Sequence, residues 1–388
     1  MARTNNGLLV FILAVGVFGI LNTEMGVVGI IPQVSEHFSV SIPTAGWLVS
    51  GFALVVALAG PTMPLLFSKM NRKTVMLLAL GVFSLCNMAA IVAPTFECLM
   101  VTRIAPAAFH PLYVSMALAV AAQTGRTEAE SAQASSRVFV GVSAGMVLGV
   151  PIASFLASVA MLQASLSFFA VVTIAVFIAT IFLVPSLPVE KGMTYGRQIA
   201  ILKKPVLWAS LFVTIFLNGA MFGFYSYMAD YFGVVSHMGA FAVSAALLIY
   251  GAMNIVGNVV SGHALAKNPR LTIVLAPCVL VVLYAVLFAV GACEVATFIT
   301  IFVLGIVAGV VNNANQFLVA RSAPEAPDFS NGLYLTAANL GTTVATALCG
   351  AFITLLGTHF SLMGSLIFLV LGIACVVWRI AVVPNNHA

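Results

Sequence analysis

The chain has 388 residues, a formal net charge of +5, 62% apolar residues and only 6% charged ones. Soluble domains carry about 25% charged residues, and a soluble fold of this length has no way to hide so much apolar surface, whereas a bilayer takes ~20 apolar residues per helix. The excess cations sit in loops, which excludes nucleic acid as their partner, and the six cysteines (Cys86, Cys98, Cys278, Cys293, Cys349 and Cys375) lack metal-ligand spacing and read as packing residues.

Apolar windows predict twelve helices, over approximately 7–32, 44–67, 74–93, 98–122, 138–160, 165–184, 205–232, 240–263, 271–291, 296–320, 330–356 and 361–383. In lipid, backbone polar groups must be satisfied within each run, which leaves the helix as the option for runs of this length. The first run lacks a small-residue cleavage site and reads as a retained span. Lys and Arg occupy alternate gaps. Arg3 precedes the first helix, Lys69, Arg72 and Lys73 follow the second, and Arg126 and Arg137 follow the fourth. Lys191, Arg197, Lys203 and Lys204 follow the sixth, Lys267 and Arg270 the eighth, Arg321 the tenth, and Arg379 closes the twelfth. This bias predicts an even number of spans with both termini in the cytoplasm. The gaps 123–137 and 185–204 read as the long loops, the second being a linker between bundles over 1–184 and 205–388. Lys69 and Arg72 recur as Lys267 and Arg270 at one offset of 198 residues. That suggests a duplicated six-helix unit; chance is the alternative, since any loop there must be basic.

Charges inside spans are rare and mark function. In the first helix, Glu24 shares a face with Val17, Ile20, Leu21, Val28 and Ile31. Desolvation disfavours the charged form of such an acid, which suits it to load and release a proton; a protonated Glu bonded to a backbone carbonyl is the other reading. In the fourth, Arg103 lies six residues, ~9 Å, below Glu97, and Glu24 lies eight residues, ~12 Å, below Pro32. A shared depth lets the two charges pair. His110 falls on the Arg103 face with Ala107 and Val114, either as a working residue or as a satisfied core histidine. In the fifth, Gly141-Val142-Ser143-Ala144-Gly145 spells a nucleophile elbow, but that motif needs a strand-to-helix turn on a sheet. Gly141, Gly145 and Gly149 at four-residue spacing instead predict a groove for close helix contact, and Pro151 a kink.

The second half offers amides and rings. Asn218, Phe222 and Tyr225 share a face of the seventh helix; Gly305, Gly309, Asn312 and Gln316 share one of the tenth, beside Asn315; Asn339 interrupts the eleventh. Amides also serve as glue between helices, at ~0.6–2 kcal/mol each. The run Asn312-Asn313-Ala314-Asn315-Gln316 is dense enough to point to a cavity lining.

Together these pieces resemble the major facilitator superfamily, and within it the twelve-span drug/proton antiporters that include bacterial sugar and nucleoside exporters. Thr23-Glu24-Met25, continuing to Gly29-Ile30-Ile31-Pro32, is similar to that family's first-helix signature. Arg103 with His110 and Pro111 resembles its fourth-helix motif, whose Arg is implicated in proton coupling. Gly141, Gly145, Gly149 and Pro151 resemble its fifth-helix antiporter motif, although Ile152-Ala153-Ser154 replaces the usual glycine pair. The loop motif after the second helix is only partly kept. Pro64 and Ser68-Lys69-Met70-Asn71-Arg72-Lys73 preserve its basic residues, but Ser68 stands at the acidic position, which puts a gate latch of the family's kind in doubt.

The resemblance implies an all-α integral membrane protein, with twelve transmembrane helices in two pseudo-symmetric six-helix bundles rocking around a cavity lined by helices one, four, seven and ten. The expected activity is proton-coupled export of small organic molecules from a bacterial cytoplasm, by a monomer in the lipid bilayer that is not an enzyme and needs no cofactor. Glu24 and Arg103 would couple the proton; His110, Asn218, Tyr225, Asn312, Gln316 and Asn339 would meet substrate; Lys69, Arg72, Gly141, Gly145, Gly149 and Pro151 would gate or pack. An uncoupled facilitator or importer of the same fold is the first rival, and an intramembrane hydrolase built on Ser143 the second.

Overall fold

The computed structural model describes residues 6–40, 42–189 and 195–382, which leaves Arg3 and Lys191 of the basic gaps outside the described residues. Among the described residues the structure is helical, with no strand. Its long helices are α1 (Asn6–Gly26), α2 (Ile42–Ala59), α3 (Arg72–Ile91), α4 (Phe96–Gln123), α5 (Glu128–Val159) and α6 (Leu162–Leu183). After a short helix at Tyr195–Ala200 follow α7 (Pro205–Tyr225), α8 (Ala240–Lys267), α9 (Pro269–Val290), α10 (Glu294–Ser322), α11 (Pro327–Leu356) and α12 (Ser361–Val382). Among the described residues, eleven helices are long and apolar enough to cross a membrane, and α2 contributes a shorter apolar helix, Trp47–Ala59.

Helix starts follow local chemistry. Asn71 Oδ1 accepts from Lys73 N at the head of α3, and Asn268 Oδ1 from Leu271 N at the head of α9, each satisfying a backbone donor that has no partner inside the helix. The sequence places the start of the fifth helix at 138, but α5 begins ten residues earlier, at Glu128. Thr127 Oγ1 accepts from Glu130 N, and Glu128 and Glu130 sit where the helix dipole favours anions, so most of the expected 123–137 loop is helix.

Four spans expected to be continuous are interrupted. α1 ends at Gly26, followed by a tight turn at Val27–Ile30 and a short helix at Ile31–Phe38. α2 stops before Gly60-Pro61, and the four-residue helix Met63–Leu66 follows. The seventh span breaks after Tyr225 and resumes at Met228–Val234. α4 breaks between Ala107 and His110, where Pro106 and Pro111 each lack the N–H that would continue the ladder. α5, by contrast, runs through Pro151 as one helix.

The chain forms two compact units. The first holds α1–α4, α5 from Arg137, α6 and the head of α11, Ala326–Thr336. The second holds the head of α5, Thr127–Ser136, together with α7–α10, the rest of α11, and α12. Within the first, α6 packs on α1 and α3, and α2 on α4. Within the second, α12 packs on α7 and α9, and α8 on α10. Each pair recurs six helices later, as a duplicated unit requires.

Close crossings need glycine. Gly141, Gly145 and Gly149 all turn toward α1: a Cβ at Gly141 would run into the Ala14 carbonyl, one at Gly145 would lie 2.7 Å from Leu21 Cβ, and one at Gly149 2.7 Å from Asn22 Oδ1. The Gly-Val-Ser-Ala-Gly segment is therefore a packing ridge of a helix, without the sheet turn that an elbow needs.

Candidate functional site

Two of the broken spans meet at the residues the sequence singles out. Thr23 and Glu24 belong to the last turn of α1, whose carbonyls have no donor within the helix. Arg103, on α4, fills that role. Its Nη1 donates to the Thr23 carbonyl at 2.7 Å and its Nη2 to the Glu24 carbonyl at 3.2 Å. The planar fork of a guanidinium suits two adjacent acceptors. The depth argument thus brings Arg103 to Glu24, but to its main chain. The carboxylate instead meets His110, whose Nε2 lies 3.0 Å from Glu24 Oε2, in contact though out of line for a straight hydrogen bond. All three side chains are buried.

The reason His110 wins is the break in α4. It places His110 as the first residue of a new helical segment, no longer held to the register that a straight helix through Arg103 would impose. Phe52 of α2 closes the cluster. Its ring lies 5.3 Å from the Arg103 guanidinium and 5.9 Å, edge to face, from the His110 ring. Sequence inspection passed over Phe52 as one apolar residue among many.

An amide network supports the same turn of α1. Asn87 of α3 donates to Thr23 Oγ1 at 3.1 Å, Thr173 Oγ1 at 3.3 Å and the Phe169 carbonyl at 3.4 Å. Beside it Asn22 is fully buried with neither amide atom hydrogen-bonded, a cost that a bound water would relieve. His110 Nδ1 and Arg103 Nε likewise have no partner. The turn that carries Glu24 is thus held from α3 and α4, with donors and acceptors left over.

In the second unit the expected site residues divide. Asn218 uses its amide donors on α11, at 2.8 Å to the Ala338 carbonyl and 2.9 Å to Thr342 Oγ1, and so acts as glue. Asn313 does the same toward α8. It donates to Asn258 Oδ1 at 2.6 Å, and Asn258 donates to Asn254 Oδ1 at 3.2 Å. Gly305 and Gly309, where a Cβ would run into the carbonyls of Tyr250 and Asn254, pack against the same helix, α8, that Asn313 bonds. Asn312 and Asn339 stay half-buried while Gln316 is buried, and Asn315 is fully buried with both amide atoms unbonded. The Tyr225 ring lies tilted 5.3 Å from Tyr250 and edge to face 5.9 Å from Phe222. Tyr250, Asn254 and Asn258 of α8 gain their roles through contacts with α7 and α10, which helical spacing within α8 does not reveal. Asn258→Ala should lower thermal stability by about 1–2 kcal/mol, the upper range for interhelical amides in membranes. Combined with Asn313→Ala the losses should fall short of additive, as read from unfolding midpoints of purified protein.

The partly kept loop motif has an unforeseen partner. The Ser68 hydroxyl donates to the Leu65 carbonyl at 2.7 Å. Lys69 is exposed. Arg72 donates to Gln123 Oε1 at 2.6 Å and to Asp328 Oδ2 at 3.2 Å. Asp328 opens α11, 256 residues away in sequence, which is why no local motif reveals it. In the other unit Arg321 pairs with Glu128 at 3.3 Å, and Lys204 pairs with Glu325. Asp328→Asn should destabilise the protein by about 3 kcal/mol, since removing one partner of a buried ion pair strands the other. Exchanging the charges, as Arg72→Asp with Asp328→Arg, should recover part of it in the same melting assay.

Comparison with known proteins agrees with this architecture. The Major Facilitator Superfamily model matches residues 12–346. The inner membrane transport protein YdhP of Escherichia coli (strain K12) is 30% identical over 362 residues, 92% of either chain. A protein of Helicobacter pylori (strain ATCC 700392 / 26695) named "Probable sugar efflux transporter" is 25% identical over 334 residues, covering 86% of this chain and 85% of its own. The crystal structure of the human organic anion transporter MFSD10 (TETRAN) superposes with a TM-score of 0.77 at 14% identity, over 96% of this chain and 100% of that one. The chain belongs to the major facilitator superfamily and is a multi-pass membrane transporter of that fold.

Proposed function

We propose that the chain is a proton-coupled exporter of small, mostly neutral organic molecules in a bacterial cytoplasmic membrane. The observation that carries this reading is the contact of His110 Nε2 with the Glu24 carboxylate, 3.0 Å apart and buried at two helix breaks. Imidazole and carboxylate are the side chains suited to proton exchange, and access of water from one side would let such a pair gain or lose a proton. Arg103 ties the carbonyls beside Glu24 to α4, so a change in the Glu24–His110 pairing is passed to the end of α1. That linkage is what coupling requires: the proton and a conformational change bias one another.

Substrate contacts are assigned to Asn312, Gln316, Asn339 and Tyr225, with Asn218 withdrawn because its amide donors hold α11. Amides and rings with few charges suit a neutral, moderately polar molecule. Arg103 spends both terminal nitrogens on carbonyls, which disfavours an anionic substrate despite the name of the human structural neighbour. The Helicobacter relative's name favours sugar-like compounds and the outward direction. Transport by the reconstituted protein against a panel of sugars, nucleosides and lipophilic drugs, with and without an imposed pH gradient, tests the proposal. Accumulation that ignores the gradient would support the uncoupled facilitator instead.

A further inference from the structure

We propose that the first unit carries a binding site for an anionic phospholipid, with one acyl chain lying in a groove between α1 and α5 and the phosphate held by Arg137. The groove has a volume of about 530 Å³ and is walled by Phe11, Val15 and Phe18 of α1 and by Ala144 and Leu148 of α5, with Arg137 as the one charged residue in the lining. Phe11 is 64% exposed and Leu148 44%, as expected of side chains that face lipid tails. Arg137 is exposed and pairs with no carboxylate among the described residues.

Dimensions choose the occupant. The helices run parallel, since Gly141 faces Ala14 while Gly149 faces Asn22, so Arg137 lies at the end where α1 begins. From Gly7 to Phe18, and from Arg137 to Leu148, each wall rises ~16 Å, close to the ~15 Å depth of one hydrocarbon leaflet, half of the roughly 30 Å core. A cation at one end of an apolar slot one leaflet deep matches a phosphate above a single chain. The guanidinium fork binds phosphate oxygens in bidentate fashion, and a headgroup without its own ammonium leaves that phosphate uncompensated, which selects phosphatidylglycerol over phosphatidylcholine.

The test is lipid retention by the purified full chain, read by native mass spectrometry after exposure to palmitoyl-oleoyl phosphatidylglycerol or the matching phosphatidylcholine. The unaltered protein should keep the anionic lipid preferentially. Arg137→Gln should weaken its retention about tenfold, as loss of a charge-assisted contact implies, and Ala144→Trp, which fills the groove, should do the same. If Ala144→Trp does not fold, Val15→Phe occupies the same space. Equal retention of the two lipids by the unaltered protein, or failure of either the cation or the groove substitution to lower phosphatidylglycerol retention, overturns the proposal.

Discussion

Proteoliposomes carrying Glu24→Gln are expected to lose gradient-driven accumulation of substrate altogether while still exchanging it downhill. Gln keeps the shape and the hydrogen-bonding reach of a protonated acid toward His110, but it has no proton to release. The fold should survive, because the bonds that hold this end of α1 run from Arg103 and Asn87 to the Thr23 and Glu24 carbonyls and the Thr23 hydroxyl, none of which the substitution touches. The pH dependence of transport should vanish with the accumulation. His110→Gln removes the other half of the contact and should shift the pH dependence of transport while leaving downhill exchange intact. Undiminished accumulation by Glu24→Gln, at the same protein density in the vesicles, would remove Glu24 from the coupling role.

Gly141→Val is expected to prevent assembly of the first unit. A Cβ there would overlap the carbonyl and Cα of Ala14, and a helix backbone cannot turn aside as a flexible side chain can. α1 would have to move off α5, which costs more than the ~1–3 kcal/mol of ordinary overpacking because the bonds from Arg103 and Asn87 to the end of α1 would be pulled apart as well. Gly51→Ala is the matched control: its Cβ would meet Ile104 Cδ1 at 3.8 Å, an ordinary contact. Detergent-solubilised Gly141→Val should elute as aggregate in size-exclusion chromatography, with Gly51→Ala monodisperse. Equal elution and equal melting of the two variants would mean that the α1–α5 crossing tolerates separation.

Much of the architecture is a one-dimensional property of the chain. Twelve apolar runs, basic gaps at every second boundary and the 198-residue recurrence are set by residue type and spacing alone, because lipid leaves a long apolar run no choice but helix. The same holds for the intramembrane charges. A cation or an acid among some twenty apolar neighbours stands out without any structure, so Glu24, Arg103 and His110 were legible as residues of interest.

Their partners were not. Depth counting along ideal helices pointed to a Glu24–Arg103 pair, and it assumed that α1 and α4 are straight. Both are broken, at Gly26 and between Ala107 and His110. The breaks free two carbonyls for Arg103 and swing His110 onto the carboxylate. The glycine spacing on α5 announced a close contact, but only the fold identifies α1 as the helix it meets. Asp328 shows the same limit most plainly, because its bond to Arg72 joins residues 256 positions apart. Sequence periodicity determines which side of a helix is polar and how many helices there are. Which polar side meets which is decided by packing among helices, where a break of one or two residues redirects every hydrogen-bonding group beyond it.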